Sequence, residues 1–464
     1  MNNIGKPGEI FMKFERKIYA KLLRWKEETH GTKALLIEGA RRIGKSTIAE
    51  TFGQNEYESY LLIDFSLASK EVKGYFEKYV TDLDTLFMLL FAAYGKELTP
   101  KKSLIIFDEI EYCPKAREAI KHLVRDGRYD YIETGSLISI HENSDGILIP
   151  SEERPIKMHP MDFEEFLWAF GEKPLAELIR ARFAQKEALP RELHMKAMLL
   201  WRQYVLVGGM PLSVSAFLEN KKSFAKADAE KKDILSLYRA DIMKIKSSKR
   251  AKVLALFDQI PGFLSHHDGQ VVLSEIKKGG KYDNYEEAFF WLDDSAMANE
   301  CFLCKDPNVG LSLNEDRSSL KCYFCDTGLL VSHTFGENDD ESKHVYNEII
   351  LGDLSINEGM FYENAIAQTL VSNGHKLYFY SHYSSEKHRN DIEVDFVISS
   401  GSKAKSRIIP IEVKSGEKYT TKSLDRFVEK FKDRIDEAIV IHPRNLSKKE
   451  NIILCIPSYM AFCL

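Results

Sequence analysis

Residues Gly39-Ala40-Arg41-Arg42-Ile43-Gly44-Lys45-Ser46 fit the spacing G-x-x-x-x-G-K-[ST]. The glycines let the backbone curl so that successive N–H groups point inward, at the oxygens of a phosphate chain. An apolar run, ALLIEG, precedes the segment, and a helical stretch, STIAETF, follows it. That helix adds a favourable dipole end for an anion. Lys45 would reach the β- and γ-phosphates of a nucleotide, and the Ser46 hydroxyl would ligate Mg²⁺. Gly39, Arg42, Gly44, Lys45, Ser46 and Thr47 are the expected contacts. A second element supports them: the apolar Leu104–Phe107 run ends in Asp108-Glu109. Asp108 is expected to hold Mg²⁺ through water, and Glu109 to activate the attacking water as general base. A third run ends in Thr134-Gly135-Ser136. Ser136 is placed to sense a γ-phosphate, with a capped strand-to-loop turn as the alternative.

Cys301-x2-Cys304 and Cys322-x2-Cys325, with 17 residues between the pairs, have the spacing of a zinc site. No glycine follows either second cysteine, and both segments, ECFLCKDP and KCYFCDTG, carry core-type aromatics. Buried thiols are therefore favoured over zinc. Lys244, Lys246, Lys249, Arg250 and Lys252 form a basic cluster, followed by Lys277, Lys278 and Lys281. Such an edge suits DNA phosphates, and equally a solvated face.

These residues need a scaffold. The runs 34–39, 60–66, 103–109 and 130–136, separated by helical stretches, predict a parallel sheet covered on both faces. A further run, 154–161, carries proline and suits an edge. Residues 162–250 show helical spacing, interrupted by the VGGMP turn at 207–211. Residues 251–335 have the order of a winged helix, 336–355 read as a polar linker, and 356–464 as a mixed α/β unit. The ATPase core is then 1–161, with 162–250 as a helical lid. Hydrophobic content of 44% and charged content of 29% exclude a mainly disordered chain or a rod. The longest apolar run, Leu86–Tyr94, is nine residues and too short to span a bilayer. No apolar leader opens the chain, and its seven cysteines suit a reducing compartment, so a cytoplasmic location is expected. A net charge of −5 leaves nucleic-acid binding to local patches.

The segments GARRIGKST, LIIFDEIEYC, IETGS, HPMDFEEFL and YVLVGGMP occur in this order. Together they resemble the bacterial and archaeal AAA-type ATPases that carry an uncharacterised C-terminal domain of restriction-endonuclease type. The resemblance spans nearly the whole chain. It implies an ASCE-type P-loop core, a helical lid, a winged helix and a PD-(D/E)xK-like α/β domain. It also implies an arginine-finger role for Arg154, although Glu153 replaces the usual glycine before it. By the same resemblance, Pro211 in the GGMP turn is an adenine-side contact.

The PD-(D/E)xK layout places an Asp on one strand, a Glu-x-Lys on the next, and often a Glu on the preceding helix. Asp395, then Glu412-Val413-Lys414 after 16 intervening residues, and Glu363 in FYENAIAQTL match it. Glu412 and Lys414, at i and i+2 of a strand, share a face. Glu363, Asp395 and Glu412 are the expected metal carboxylates, and Lys414 the lysine beside the attacking water. The expected function is an Mg²⁺-dependent ATPase coupled to DNA binding or processing through a nuclease-like domain. The rival is a nucleotide switch whose C-terminal domain binds DNA or a partner without cutting. The expected partners are ATP, DNA, and a second copy of the chain or another protein; a membrane is not among them.

Overall fold

The computed structural model describes residues 14–135, 150–245, 247–266, 268–308, 310–335, 346, 348–350, 358–384, 389–400, 407–449 and 452–464. The chain divides into two compact units, one of Lys13–His159 with Asp294–Ala296, the other of Pro160–Asp293 with Met297–Leu464.

The first unit is built on β1 (Ala34–Glu38), β2 (Ser59–Asp64), β3 (Ser103–Asp108), β4 (Asp130–Gly135) and β5 (Glu153–Lys157). They form one parallel sheet in the order β2-β3-β4-β1-β5. The apolar residues of β3 are all buried, as a strand covered on both faces requires. β5 lies at the edge, where its proline costs no ladder bond. The order has a functional consequence. β4 is inserted between the strand leading into the phosphate-type loop and the strand ending in Asp108, so the C-terminal end of β4 lies beside Asp108.

The second unit opens with a helix, Phe163–Ala169, held by a capping box between Asp162 and Glu165. The helices Lys173–Gln185, Arg191–Val207, Pro211–Glu219 and Phe224–Met243 follow. The turn between the second and third of these is a packed joint. A Cβ on Gly209 would lie 1.9 Å from the Met161 carbonyl oxygen, so only glycine fits. Helices Ser247–Ser265, Leu273–Ile276 and Glu286–Asp294 then lead into an antiparallel hairpin, β6 (Ala298–Cys304) and β7 (Glu315–Phe324).

This hairpin does not stand apart from the C-terminal region. β6 pairs in parallel with β8 (Leu377–Ser384), which pairs with β9 (Arg389–Val394), giving a four-stranded sheet β7-β6-β8-β9. The strand expected to carry Asp395 is split at that residue. β9 ends there and β10 (Phe396–Ser399) joins a second sheet with β11 (Ile408–Val413), β12 (Ala438–His442), β13 (Ser447–Lys449) and β14 (Ile453–Pro457). Most of the expected linker lies outside the described residues. At Tyr346 and Ile349 it is not a solvated tether. Both are buried, and Tyr346 donates its hydroxyl proton to Asp228.

Candidate functional site

The loop after β1 is shaped before any ligand arrives. Gly39 has φ +149°, and a Cβ there would lie 2.2 Å from the Met158 carbonyl oxygen. Gly44, with φ +94°, opens the helix Lys45–Glu56. Lys45 is buried, and its ammonium donates to the carbonyl oxygens of Gly39 (3.0 Å) and Ala40 (2.9 Å). Burial lowers its pKa; the carboxylates of Glu109, Glu111 and Asp108 oppose that shift. Arg16 braces the loop from behind, donating to the carbonyl oxygens of Ile43 (2.9 Å) and His159 (2.6 Å).

Asp108 ends β3 as a buried carboxylate, and burial raises its pKa. It accepts a hydrogen bond from the Thr134 hydroxyl. The Thr134 oxygen also accepts from the Glu109 amide, at 3.3 Å. Glu109 itself adopts a left-handed conformation, φ +52°, which a non-glycine residue takes up at some cost and which clusters at functional sites. These residues fit a nucleotide with its metal. The loop is a concave cradle with a cation inside it, and the Ser46 hydroxyl lies near Asp108.

Gly39, Gly44, Lys45, Ser46, Asp108 and Glu109 are thus gathered at one end of the sheet. Arg42 and Thr47 are exposed on the loop and the helix that follows. Ser136 lies outside the described residues; the hydroxyl that bridges Asp108 and Glu109 is that of Thr134. Arg154, the expected arginine finger, lies on the edge strand β5. The register pairs it with Leu35, at the start of β1, and it is bound to Glu28 at 2.8 Å. Four residue steps along the chain separate Leu35 from Gly39, about 13 Å. Pro211 occupies the first turn of the helix Pro211–Glu219, in the second unit. The adjoining Gly209 amide is taken by the Asp326 carboxylate at 2.6 Å.

A second charged centre lies within the second unit. Glu363 stands on the helix Glu358–Ser372, Asp395 at the corner between the two sheets, and Glu412 on β11. Asp395 accepts the Val413 amide at 2.8 Å, and Lys414 pairs with Glu412 at 2.8 Å. Burial pushes the Glu412 carboxyl up to about 7, despite Lys414. Sequence reasoning missed the group in the middle, Lys321 on β7. Its ammonium is 2.9 Å from Glu363 and 3.7 Å from Asp395, and lies over the Phe379 ring. Tyr323, two residues on, donates to the same Glu363 oxygen at 2.5 Å. Burial opposes the Lys321 charge, but Glu363, Asp395 and Glu393 outweigh it and hold its pKa above the ordinary value. A divalent ion does not fit between Glu363 and Asp395 in this arrangement, because an ammonium already lies there.

The hairpin register also separates the cysteines. Cys301 lies opposite Lys321 and Cys322 opposite Glu300, so these two thiols point to opposite faces. Cys301, Cys304, Cys322 and Cys325 are all buried, and burial raises all four thiol pKa values. Much of the first basic cluster is engaged within the chain. Lys244 pairs with Asp241 and Lys249 with Glu287, while Lys252 and Arg250 donate to backbone carbonyls. Lys246 lies outside the described residues; Lys277, Lys278 and Lys281 are exposed.

Residues 31–167 match an AAA domain. Residues 198–340 and 358–459 each match a domain of unknown function, DUF8612 and DUF4143 respectively. No curated protein matches the chain. Among solved structures, it is similar to a signal transduction ATPase with numerous domains and a tetratricopeptide repeat sensor from Pyrococcus horikoshii. The identity is 13%, the match covers 79% of this chain and 49% of that one, and the TM-score is 0.26. The chain thus spans about half the length of that protein. The domain match and the parallel sheet agree: the chain carries an AAA-type P-loop ATPase domain, and with it an ATP site. No helix among the described residues is long and apolar enough to cross a membrane.

Proposed function

We propose that the chain is a Mg²⁺-dependent ATPase that works as a nucleotide switch, with DNA or a protein partner as the target of its C-terminal region. The observation that carries the reading is the Asp108–Thr134–Glu109 hydrogen-bond chain beside the loop. Lys45 exchanges its bonds to the Gly39 and Ala40 carbonyls for bonds to the β- and γ-phosphates. The loop amides and the helix Lys45–Glu56 hold the remaining phosphate charge. A bound Mg²⁺ would supply charge between the phosphates, with Ser46 and Asp108 as its protein groups. Glu109 accepts a proton from the attacking water, and Thr134 fixes where Glu109 leaves the strand.

The positions of Glu363, Asp395, Glu412 and Lys414 support a restriction-endonuclease-like reading of the C-terminal region. Lys321 favours binding without cutting over a metal-dependent nuclease. The exposed Lys277, Lys278 and Lys281 are the residues offered to phosphates.

Glu109→Gln tests the switch. It should bind ATP like the wild type and lose turnover by about 10²–10⁴-fold. Held in the ATP state, it should bind labelled duplex DNA or the partner differently with ATP than with ADP. Wild-type turnover in this variant would remove Glu109 as the base. Equal binding in every nucleotide state would remove the coupling.

A further inference from the structure

A lysine that is 1% exposed and comes from outside the carboxylate-bearing segment is an unusual feature. Lys321 belongs to the stretch matching one domain of unknown function, residues 198–340. The carboxylates around it belong to the stretch matching the other, residues 358–459. Its position is fixed on every side. The β6–β7 register sets the backbone, Phe379 faces the ammonium, Tyr323 shares its carboxylate, and the bridge between Gln270 and Lys321 closes the remaining flank.

We propose that Lys321 is a built-in counter-ion that occupies the position of a divalent cation at Glu363 and Asp395, so the centre is a latent metal site kept closed by the hairpin. The inference rests on the nuclease-like reading of the C-terminal region. Charge placement supports it. The carboxylates Glu363, Asp395, Glu393 and Glu412 face two ammonium groups, Lys321 and Lys414, and Lys321 is the one paired with Glu363 and Asp395. A dication arriving beside Lys321 would meet a like charge at contact distance in a low-dielectric setting. With Lys321 gone, the same oxygens would face a vacated space. Glu363 and Asp395 then offer hard oxygens, the chemistry of Mg²⁺ or Mn²⁺.

The test is Mn²⁺ binding to the full chain without nucleotide, followed by loss of the free-ion electron paramagnetic resonance signal. The wild type should show no Mn²⁺ site sensitive to Asp395→Asn. Lys321→Ala should gain one, at least about tenfold tighter than any wild-type binding, and lose it again when combined with Asp395→Asn. Lys321→Arg, which keeps the charge, should behave as wild type. A wild-type site that Asp395→Asn removes would overturn the proposal even if Lys321→Ala failed to fold. So would a folded Lys321→Ala with no new site. ATP binding measured on the same preparations separates this outcome from failure of the ATPase reading.

Discussion

Two lysines in this chain are almost equally hidden, Lys45 at 7% exposure and Lys321 at 1%, yet their chemistry diverges. Lys45 donates to two backbone carbonyls, the carboxylates nearby offset only part of its burial, and its pKa is lowered. Lys321 is held by full carboxylate charges, and its pKa is raised. Burial is the largest influence on both, and the identity of the oxygens decides the sign. A buried cation among carbonyls awaits an anionic ligand; a buried cation among carboxylates has already found its anions. The first arrangement suits an inlet, the second a plug.

The sharpest way to break this contrast is to remove each ammonium in turn. Lys321→Ala should cost stability, roughly 3–5 kcal/mol, because it strands carboxylates in a buried place, and leave ATP affinity unchanged. Lys45→Ala should do the reverse. ATP affinity should fall by about a hundredfold in a titration with a fluorescent analogue, with the folded state little affected. If both variants lose the same property, the contrast is false. Thr134→Val sharpens the inlet side. Removing the hydroxyl that bridges Asp108 and Glu109 should slow turnover by about tenfold and barely change ATP affinity.

The smallest effect concerns Glu300 on the hairpin, whose carboxyl is pushed up to about 8, chiefly by burial and then by Asp293. Its pKa in the unfolded chain is near the ordinary 4.5, so between there and about 8 the native state holds a proton that the unfolded state has lost. Stability should therefore fall as pH rises through that window. Glu300→Gln should flatten this slope, matching wild type at pH 4 and exceeding it by about 1–3 kcal/mol at pH 9 in urea melts. An unchanged slope would show that Glu300 titrates normally.

The P-loop and the strand ending in Asp108 were legible because each is a local string whose spacing is its mechanism. The five strands of the first sheet were legible for the same reason, as apolar runs punctuated by polar ends. Asp395, Glu412 and Lys414 were visible through their order along the chain. What the string concealed depended on register between distant segments. Lys321 stands 42 residues before Glu363, and within KCYFC it reads as a charge beside cysteines. Only the β6–β7 pairing turns it away from Cys322 and toward the carboxylates. Thr134 became a bridge because β4 is inserted beside β3, a fact of topology rather than of spacing. The place of Arg154 is likewise a matter of register: its strand is adjacent to β1, and the pairing sets it beside Leu35, at the start of β1.

The segment from Lys321 to Asp326 links the charged centre to the glycine joint. Asp326 accepts the Gly209 amide and a hydrogen bond from Gln368, which lies on the helix that also carries Glu363. The end of β7, to Phe324, and a bend at Cys325 join the two residues. The charged centre sets a toll on any signal passing along them. Withdrawing the plug costs roughly 3–5 kcal/mol. A ligand that opens it must therefore prefer the open form by about 10²–10⁴-fold. An effector with a weaker preference would occupy its site fully and leave the latch shut.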